Sequence, residues 1–479
     1  MAGRRNMPMM GLTARSAAAA CGGRLVHVGV DGGEAPLGEV NIDSRTLPLG
    51  ATFVCLRGPR FDGHDFAAQA VEAGATTLLV DERGLQALPS GVRESGAHII
   101  CVSDTEQALV AWARACRARF QGPLVGITGS CGKTTTKELL AAVLTTIGPT
   151  LKTRGNQNNQ LGVPLTLCRL DEGVRAAVVE LGTNSPGEIA YLSAMAEPTF
   201  GLITAIGAAH LEGLGTVADV ALEKGALFRH LPSSGRAFLP ESIAFPELVT
   251  RGLKCPLVVV GEGPGLGLRY SAPRETVSGV SGIVGLDGAA LPTTLRMSGA
   301  HNLQNATLAI AVGLELGVSL KDAVSAVASV APAALRGEVR TLPGGAHVVL
   351  DCYNANPESM RAALRAFEQV SRSGVVVLGD MLELGSGALE AHLELGRVVA
   401  LMPDVRLVAV GPLSRRIADG AAAAGMSASR ISAVSDARAA VPVIQEHVEQ
   451  GSWILLKGSR GMRLEQVYEQ LSNRSISHE

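Results

Sequence analysis

Residues Gly126–Lys137 read GITGSCGKTTTK, between the apolar run PLVG and a segment of helical periodicity, TTTKELLAAVL. Few local patterns restrict a chain more. Glycines at a strand-to-helix turn let successive backbone N–H groups face inward, and the helix N-terminus favours negative charge. A lysine followed by a hydroxyl then meets the outer phosphates and a divalent cation, roles open here to Lys133 and Thr134. The spacing departs from the strict G-x-x-x-x-G-K-[ST] pattern, because the position five before Gly132 is Ile127 and the nearest glycines are Gly126 and Gly129. Strand, helix and the Lys–Thr pair outweigh that departure, and the segment predicts a phosphate loop in a parallel sheet.

The surrounding sequence supplies such a sheet. From Gly122 to about Val220, strand-like runs (PLVGIT, AAVVELG, TFGLITAIG) alternate with helical ones, the last from about Val217 to His230. This alternation predicts parallel strands covered by helices on both faces. At 479 residues the chain exceeds one hydrophobic core, and about 150 residues per domain gives roughly three. The expected fold class is α/β in three domains. Residues 1–122 form a small α/β domain, and 123–333 a central P-loop parallel-sheet ATPase domain with antiparallel strands added between Leu257 and Met297. Residues 334–479 form a C-terminal Rossmann-like α/β domain, read from AHVVLD, GVVVLGD, RLVAVG, RISAVS and WILLKG. A first helix is expected from about Thr13 to a stop at Gly22–Gly23. Arg4–Arg5 followed by Ala17–Ala20 and Cys21 resembles an export signal only superficially, since Arg15 and Ser16 interrupt the apolar stretch.

Composition narrows the partners. Lys and Arg total 42 against 44 Asp and Glu, so no global field draws in nucleic acid, and 3% aromatics leave few stacking platforms. Any anion site must be local. No run approaches the roughly 18 apolar residues of a membrane span. Eight cysteines are scattered without a C-x-x-C pair, which points to a reducing compartment and a cytoplasmic protein.

Glu180 closes the run VVE and His210 lies just beyond LITAIG. In a parallel sheet the C-terminal strand ends face one crevice, so Thr134, Glu180 and His210 are expected to share it. Singly, each reads more simply as a surface carboxylate or a satisfied loop histidine; their common placement carries the expectation. Lys224 by itself reads as a solvated helix lysine. The stretches TRGNQNNQLGVPLTL, with Asn158, and DCYNANPESM, with Asn354 and Asn356, suit either a polar ligand or asparagine turn chemistry. Lys457 and Arg460 in KGSRG suit a carboxylate or phosphate, or a solvated loop.

Taken in order, DSR, GPRFDGHDF, GITGSCGKTTTK, GNQNNQLGVPLTL, ELGTNSPGEI, AAHLEGLG, EKG, HNLQNA, DCYNANPESM, GDMLELG and KGSRGM resemble the Mur ligase family of peptidoglycan synthesis. The similarity runs over nearly the whole chain. YNANP and GNxNNxxGxP point to the branch that adds D-alanyl-D-alanine to UDP-N-acetylmuramoyl-tripeptide. The resemblance implies ATP and Mg²⁺, with Thr128, Gly129, Ser130, Cys131, Gly132, Lys133 and Thr134 around the phosphates. Thr134 and Glu180 would share one Mg²⁺ and His210 serve a second. Lys224 matches a lysine that is carbamylated in several members, and Lys133, His210 and Lys224 are the implied catalytic set. Asn302, Arg336 and Asp351 match positions on adenosine and phosphates, and Ser44 and Arg45 the uridine-nucleotide side. Asn158, Asn354, Asn356, Lys457 and Arg460 are candidates for binding or positioning the other substrates. Leu350 and Ala226 depart from the family pattern, each standing where an acidic residue is usual.

The implied reaction phosphorylates a carboxylate with ATP; the dipeptide amine attacks the acyl phosphate and phosphate leaves. No nucleophile elbow is present, as this route requires none. The implied protein is a monomer, with lobes 1–122, 123–333 and 334–479 for nucleotide-sugar, ATP and dipeptide. The rival expectations are a third-residue-adding or folylpolyglutamate-type ligase, or a paralogue that binds nucleotide without ligating.

Overall fold

A computed structural model describes residues 9–29, 31–276, 279–286, 288–297, 299–371 and 373–474; Arg4–Arg5 lies outside them. The first helix spans Ala14–Ala20. The Thr13 side chain accepts from Ser16 N, and Ser16 Oγ accepts from Thr13 N, closing a capping box.

The first sheet has the strand order Arg24–His27, His98–Val102, Thr77–Asp81, Thr52–Val54, Val40–Asn41, with only Arg24–His27 antiparallel to its neighbour. The helix Thr105–Arg119 ties it to the next sheet: Arg117 Nε donates to Ala196 O at 2.8 Å and its Nη2 to Glu197 O at 2.7 Å.

Six parallel strands form the central sheet, in the order Leu257–Val260, Arg236–Pro240, Phe200–Ile203, Leu124–Thr128, Ala176–Glu180, Thr150–Lys152. LVGIT and AAVVE are buried at every position, as strands covered on both faces must be. One expectation is corrected here. Leu257–Val260 pairs parallel with Arg236–Pro240, so it extends the main sheet instead of joining the antiparallel strands. The chain between them makes a crossover through the helix Pro246–Val249, which a parallel neighbour requires. The antiparallel meander is confined to Leu268–Thr276, Gly279–Leu286 and Ala289–Leu295, joined by short connections.

The last sheet runs Glu338–Thr341, His347–Asp351, Trp453–Lys457, Gly374–Gly379, Val405–Val410, Ile431–Val434, with Glu338–Thr341 antiparallel at one edge. Separate apolar clusters cover its two faces: Val348, Val377 and Ile454 lie in one, Val376, Leu378 and Leu455 in the other. Alternate residues of one strand thus feed opposite layers. Among the described residues no helix is long and apolar enough to cross a membrane.

Candidate active site

The strand Leu124–Thr128 runs into the glycine loop and the helix Lys133–Thr145 follows. Gly129 has φ +154° and a Cβ there would lie 2.0 Å from Thr204 Oγ1; Gly132 has φ +79° and its Cβ would lie 2.9 Å from Asn305 Oδ1. Both positions exclude a side chain. Ser130 N donates to Ala205 O at 2.8 Å and Ser130 Oγ to Gly207 O at 3.0 Å, so the loop is shaped by the segment after the neighbouring strand Phe200–Ile203. Gly132 gives the helix no side-chain cap, which leaves its N-terminus for an anion. Lys133 Nζ folds back to donate to Gly129 O at 2.6 Å. Burial lowers the Lys133 pKa, and the nearby Glu180 carboxylate opposes that shift.

Glu180 ends the strand Ala176–Glu180 and is 2% exposed. Thr134 Oγ1 donates to it at 3.2 Å and Asn158 Nδ2 at 2.9 Å, and Lys137 Nζ stands 3.6 Å away. Lys137, fully buried, also donates to Gly155 O at 3.1 Å. The motif GITGSCGKTTTK by itself assigns Lys137 no role. Its signal was the four-residue step from Lys133, which places both lysines along one side of the helix.

His210 follows the strand Phe200–Ile203 and adopts φ +57°. Its Nδ1 lies 2.7 Å from Glu383 Oε2, in the loop after Gly374–Gly379 of the last sheet. Burial comes first in lowering the His210 pKa, with Lys133 and Lys224 adding to it. Lys224 sits on the helix Val217–Arg229, 1% exposed, its pKa driven well down by burial and then by Lys133. The adjacent Glu223 is committed elsewhere, accepting from Gly187 N at 2.8 Å and Ile189 N at 2.7 Å at the start of the helix Glu188–Ala196.

Two cavities meet at this point. The larger, about 330 Å³, brings Ser130, Cys131, Gly132, Lys133 and Thr134 together with Asn302, Arg336, Asp351, Asn354, Asn356 and Lys457. The smaller, about 190 Å³, is lined by Asn158, Glu180 and His210. Lys133, Arg336 and Asn354 line both. Arg336 lies over the Tyr353 ring at 4.1 Å, a cation–π contact that holds the guanidinium at the junction. Lys457 Nζ donates to Asp351 Oδ2 at 2.7 Å, and Asn356 caps the helix Pro357–Val370.

Other expected residues stand apart. Ser44 bonds Gln69 and Arg45 pairs with Asp43 on the first sheet's unit, outside both cavities. Arg460 pairs with Glu465 at 2.7 Å, also outside. Thr128 is wholly buried at the strand end with Oγ1 unpartnered; Gly129 shapes the turn, and Lys224 lies behind the lining. Besides Lys137, Asn305 against Gly132, Glu383 and Glu358 carry no role that their sequence motifs assign. The Glu358 carboxylate packs on Gly207 at the larger cavity.

Among the described residues no three His, Cys, Asp or Glu side chains gather to hold a metal. The oxygens of Thr134 and Glu180 nevertheless fit Mg²⁺, which takes one or two protein ligands and completes its shell with water and phosphate.

Three family profiles match consecutive stretches of the chain: Mur ligase family, catalytic domain, over 37–117; Mur ligase middle domain over 127–313; and Mur ligase, glutamate ligase domain, over 335–460. The chain is 33% identical over 441 residues to the UDP-N-acetylmuramoyl-tripeptide--D-alanyl-D-alanine ligase of Bacillus subtilis, covering 91% of this chain and 94% of that protein. Its fold superposes on MurF from Acinetobacter baumannii with a TM-score of 0.84 at 32% identity, over 97% and 100% of the two chains. On MurF ligase from Thermotoga maritima in complex with ADP the TM-score is 0.76 at 26% identity, over 92% and 98%.

Proposed function

The chain belongs to the Mur ligase family, and from that premise we propose that it joins D-alanyl-D-alanine to UDP-N-acetylmuramoyl-tripeptide with hydrolysis of ATP to ADP. The observation that carries this reading is the junction of the two cavities at Lys133, Arg336 and Asn354. A nucleotide held by the glycine loop directs its terminal phosphate toward the smaller, polar cavity, where a carboxylate substrate would meet it. The Thermotoga maritima neighbour carries ADP, in keeping with nucleotide binding at this loop.

In this reading the tripeptide's terminal carboxylate attacks the γ-phosphate and displaces ADP. The dipeptide amine attacks the acyl phosphate, and the tetrahedral intermediate expels phosphate. Ser130 to Gly132 and the helix N-terminus hold the phosphate chain, Lys133 neutralises charge developing on it, and Arg336 supports the junction. Thr134 and Glu180 would hold one Mg²⁺ and His210 would serve a second; bound there, the ions would supply charge neutralisation. Asn302 and Asp351 belong to the nucleotide side. Asn158, Asn354, Asn356 and Lys457 belong to the acceptor and dipeptide side, with Ser44 and Arg45 on the distant uridine side and Arg460 near the dipeptide. Residues 1–122, 123–333 and 334–479 divide the work into nucleotide-sugar binding, ATP activation and dipeptide capture, in a cytoplasmic monomer.

Purified protein should release phosphate only when both substrates are present, and the product mass should exceed the acceptor's by one condensed dipeptide. Release with a single amino acid, or with a folyl acceptor in place of the nucleotide-tripeptide, would move the assignment elsewhere in the superfamily. Absence of dipeptide-dependent release overturns it.

A further inference from the structure

His210 and Glu383 are 173 positions apart and come from different sheet units, yet Nδ1 and Oε2 meet at 2.7 Å. A carboxylate has only acceptor capacity, so the imidazole must be the donor. With Nδ1 as the donor, a neutral ring carries its proton there and none on Nε2, so the bond selects one tautomer.

Both residues hold left-handed backbone, His210 at φ +57° and Glu383 at φ +65°. For residues with side chains that conformation persists only where surroundings impose it. The surroundings are visible. Met381 N donates to His392 Nε2 at 2.9 Å and Leu382 N to Ser459 Oγ at 2.9 Å, fixing the Glu383 loop to its own sheet. Across the gap Gly385 packs on the Glu212 backbone, where a Cβ would sit 3.4 Å from Glu212 Cα.

We infer that Glu383 is a positioning residue for His210: by accepting the Nδ1–H bond it leaves Nε2 unprotonated and directed at the cavity that contains Glu180 and Lys133. A docked third unit thereby sets the state of a side chain in the central one. A histidine that serves a cation through one ring nitrogen commonly donates the other N–H to a carboxylate, and losing that partner costs about 10–100-fold in metal affinity. The inference rests on the reading under which His210 serves the Mg²⁺ and phosphate centre.

The test uses the full chain with ADP and the variants Glu383→Ala, Glu383→Gln and His210→Ala. Glu383 is 59% exposed at its side chain, so its variants should fold. In histidine-¹⁵N-labelled protein with ADP and no divalent ion, His210→Ala identifies the His210 signals among the ten histidines. Wild type and Glu383→Gln, whose amide oxygen still accepts, should show protonated Nδ1 and unprotonated Nε2; Glu383→Ala should mix the tautomers. Mn²⁺ affinity, read by electron paramagnetic resonance, should fall about 10–100-fold in Glu383→Ala and little in Glu383→Gln. If His210→Ala weakens Mn²⁺ while Glu383→Ala keeps both tautomer and affinity, the positioning role is overturned and the His210 reading survives. If His210→Ala leaves Mn²⁺ affinity unchanged, both are overturned.

Discussion

Asp351 and Lys457 are register partners on neighbouring parallel strands, and their side chains close a 2.7 Å bond at the wall of the larger cavity. Lys457 is 2% exposed at its side chain and Asp351 25%. Removing one partner therefore strands the other in a poorly solvated place, where the remaining charge, not the lost attraction, dominates the cost. Lys457→Met should destabilise the protein by about 1–3 kcal/mol in urea denaturation. Adding Asp351→Asn should recover part of that loss while turnover stays low. Equal stability of the single and double variants would show that an unpaired Asp351 charge is not what the Lys457 variant suffers from.

Gly129→Ala tests the loop itself. The φ of +154° and the 2.0 Å approach of Thr204 Oγ1 leave no room for a Cβ. The loop must open or Thr204 must move, and Thr204 Oγ1 also bonds Cys131 O within the same turn. Stability should fall by about 1–3 kcal/mol, with ADP affinity reduced at least tenfold, measured by calorimetry. Wild-type ADP affinity in this variant would mean that the glycine loop does not hold the phosphates.

Much of this site was legible because its signals are local. Gly129, Gly132, Lys133 and Thr134 fall within six residues, and Glu180 and His210 follow from where apolar runs stop. The antiparallel assignment of Leu257–Val260 failed because strand direction depends on the connection and partner, and neither is written in four valines and leucines. The Asp351–Lys457 pair spans 106 positions and depends on sheet order. The His210–Glu383 bond requires two units to dock, which periodicity in one segment does not report. Lys137 is illegible for another reason: a lysine inside a helical motif reads as solvated, and only the fold brings the loop at Gly155 over it.

Thr134→Val separates nucleotide from cation. The substitution removes the hydroxyl that reaches Glu180 at 3.2 Å, while Asn158 and Lys137 still engage the carboxylate. Folding should be nearly unchanged. ADP affinity without divalent ion should also be near wild type, whereas the gain on adding Mg²⁺ should shrink by about tenfold or more. Titrations of ADP with and without Mg²⁺ measure both. An unaltered Mg²⁺ effect would remove Thr134 from the cation site.

Lys224 offers a prediction in pH. Burial, reinforced by Lys133, holds its folded-state pKa well below 10.5, whereas the unfolded chain keeps an ordinary lysine. Between the two values the unfolded state binds the extra proton, so Lys224 opposes folding at low pH and its penalty fades as pH rises through that window. Lys224→Met, neutral at every pH and similar in volume, removes the proton linkage. The variant should be the more stable protein near neutrality, and the two stability–pH curves should converge toward pH about 10. Turnover should be lost even so, if this amine or its carbamate acts at the phosphate centre. Bicarbonate that stabilises the wild type but not the variant would mark the carbamate. A constant offset between the curves across pH would mean that Lys224 is charged in the folded protein, and its place beside Lys133 would need another explanation.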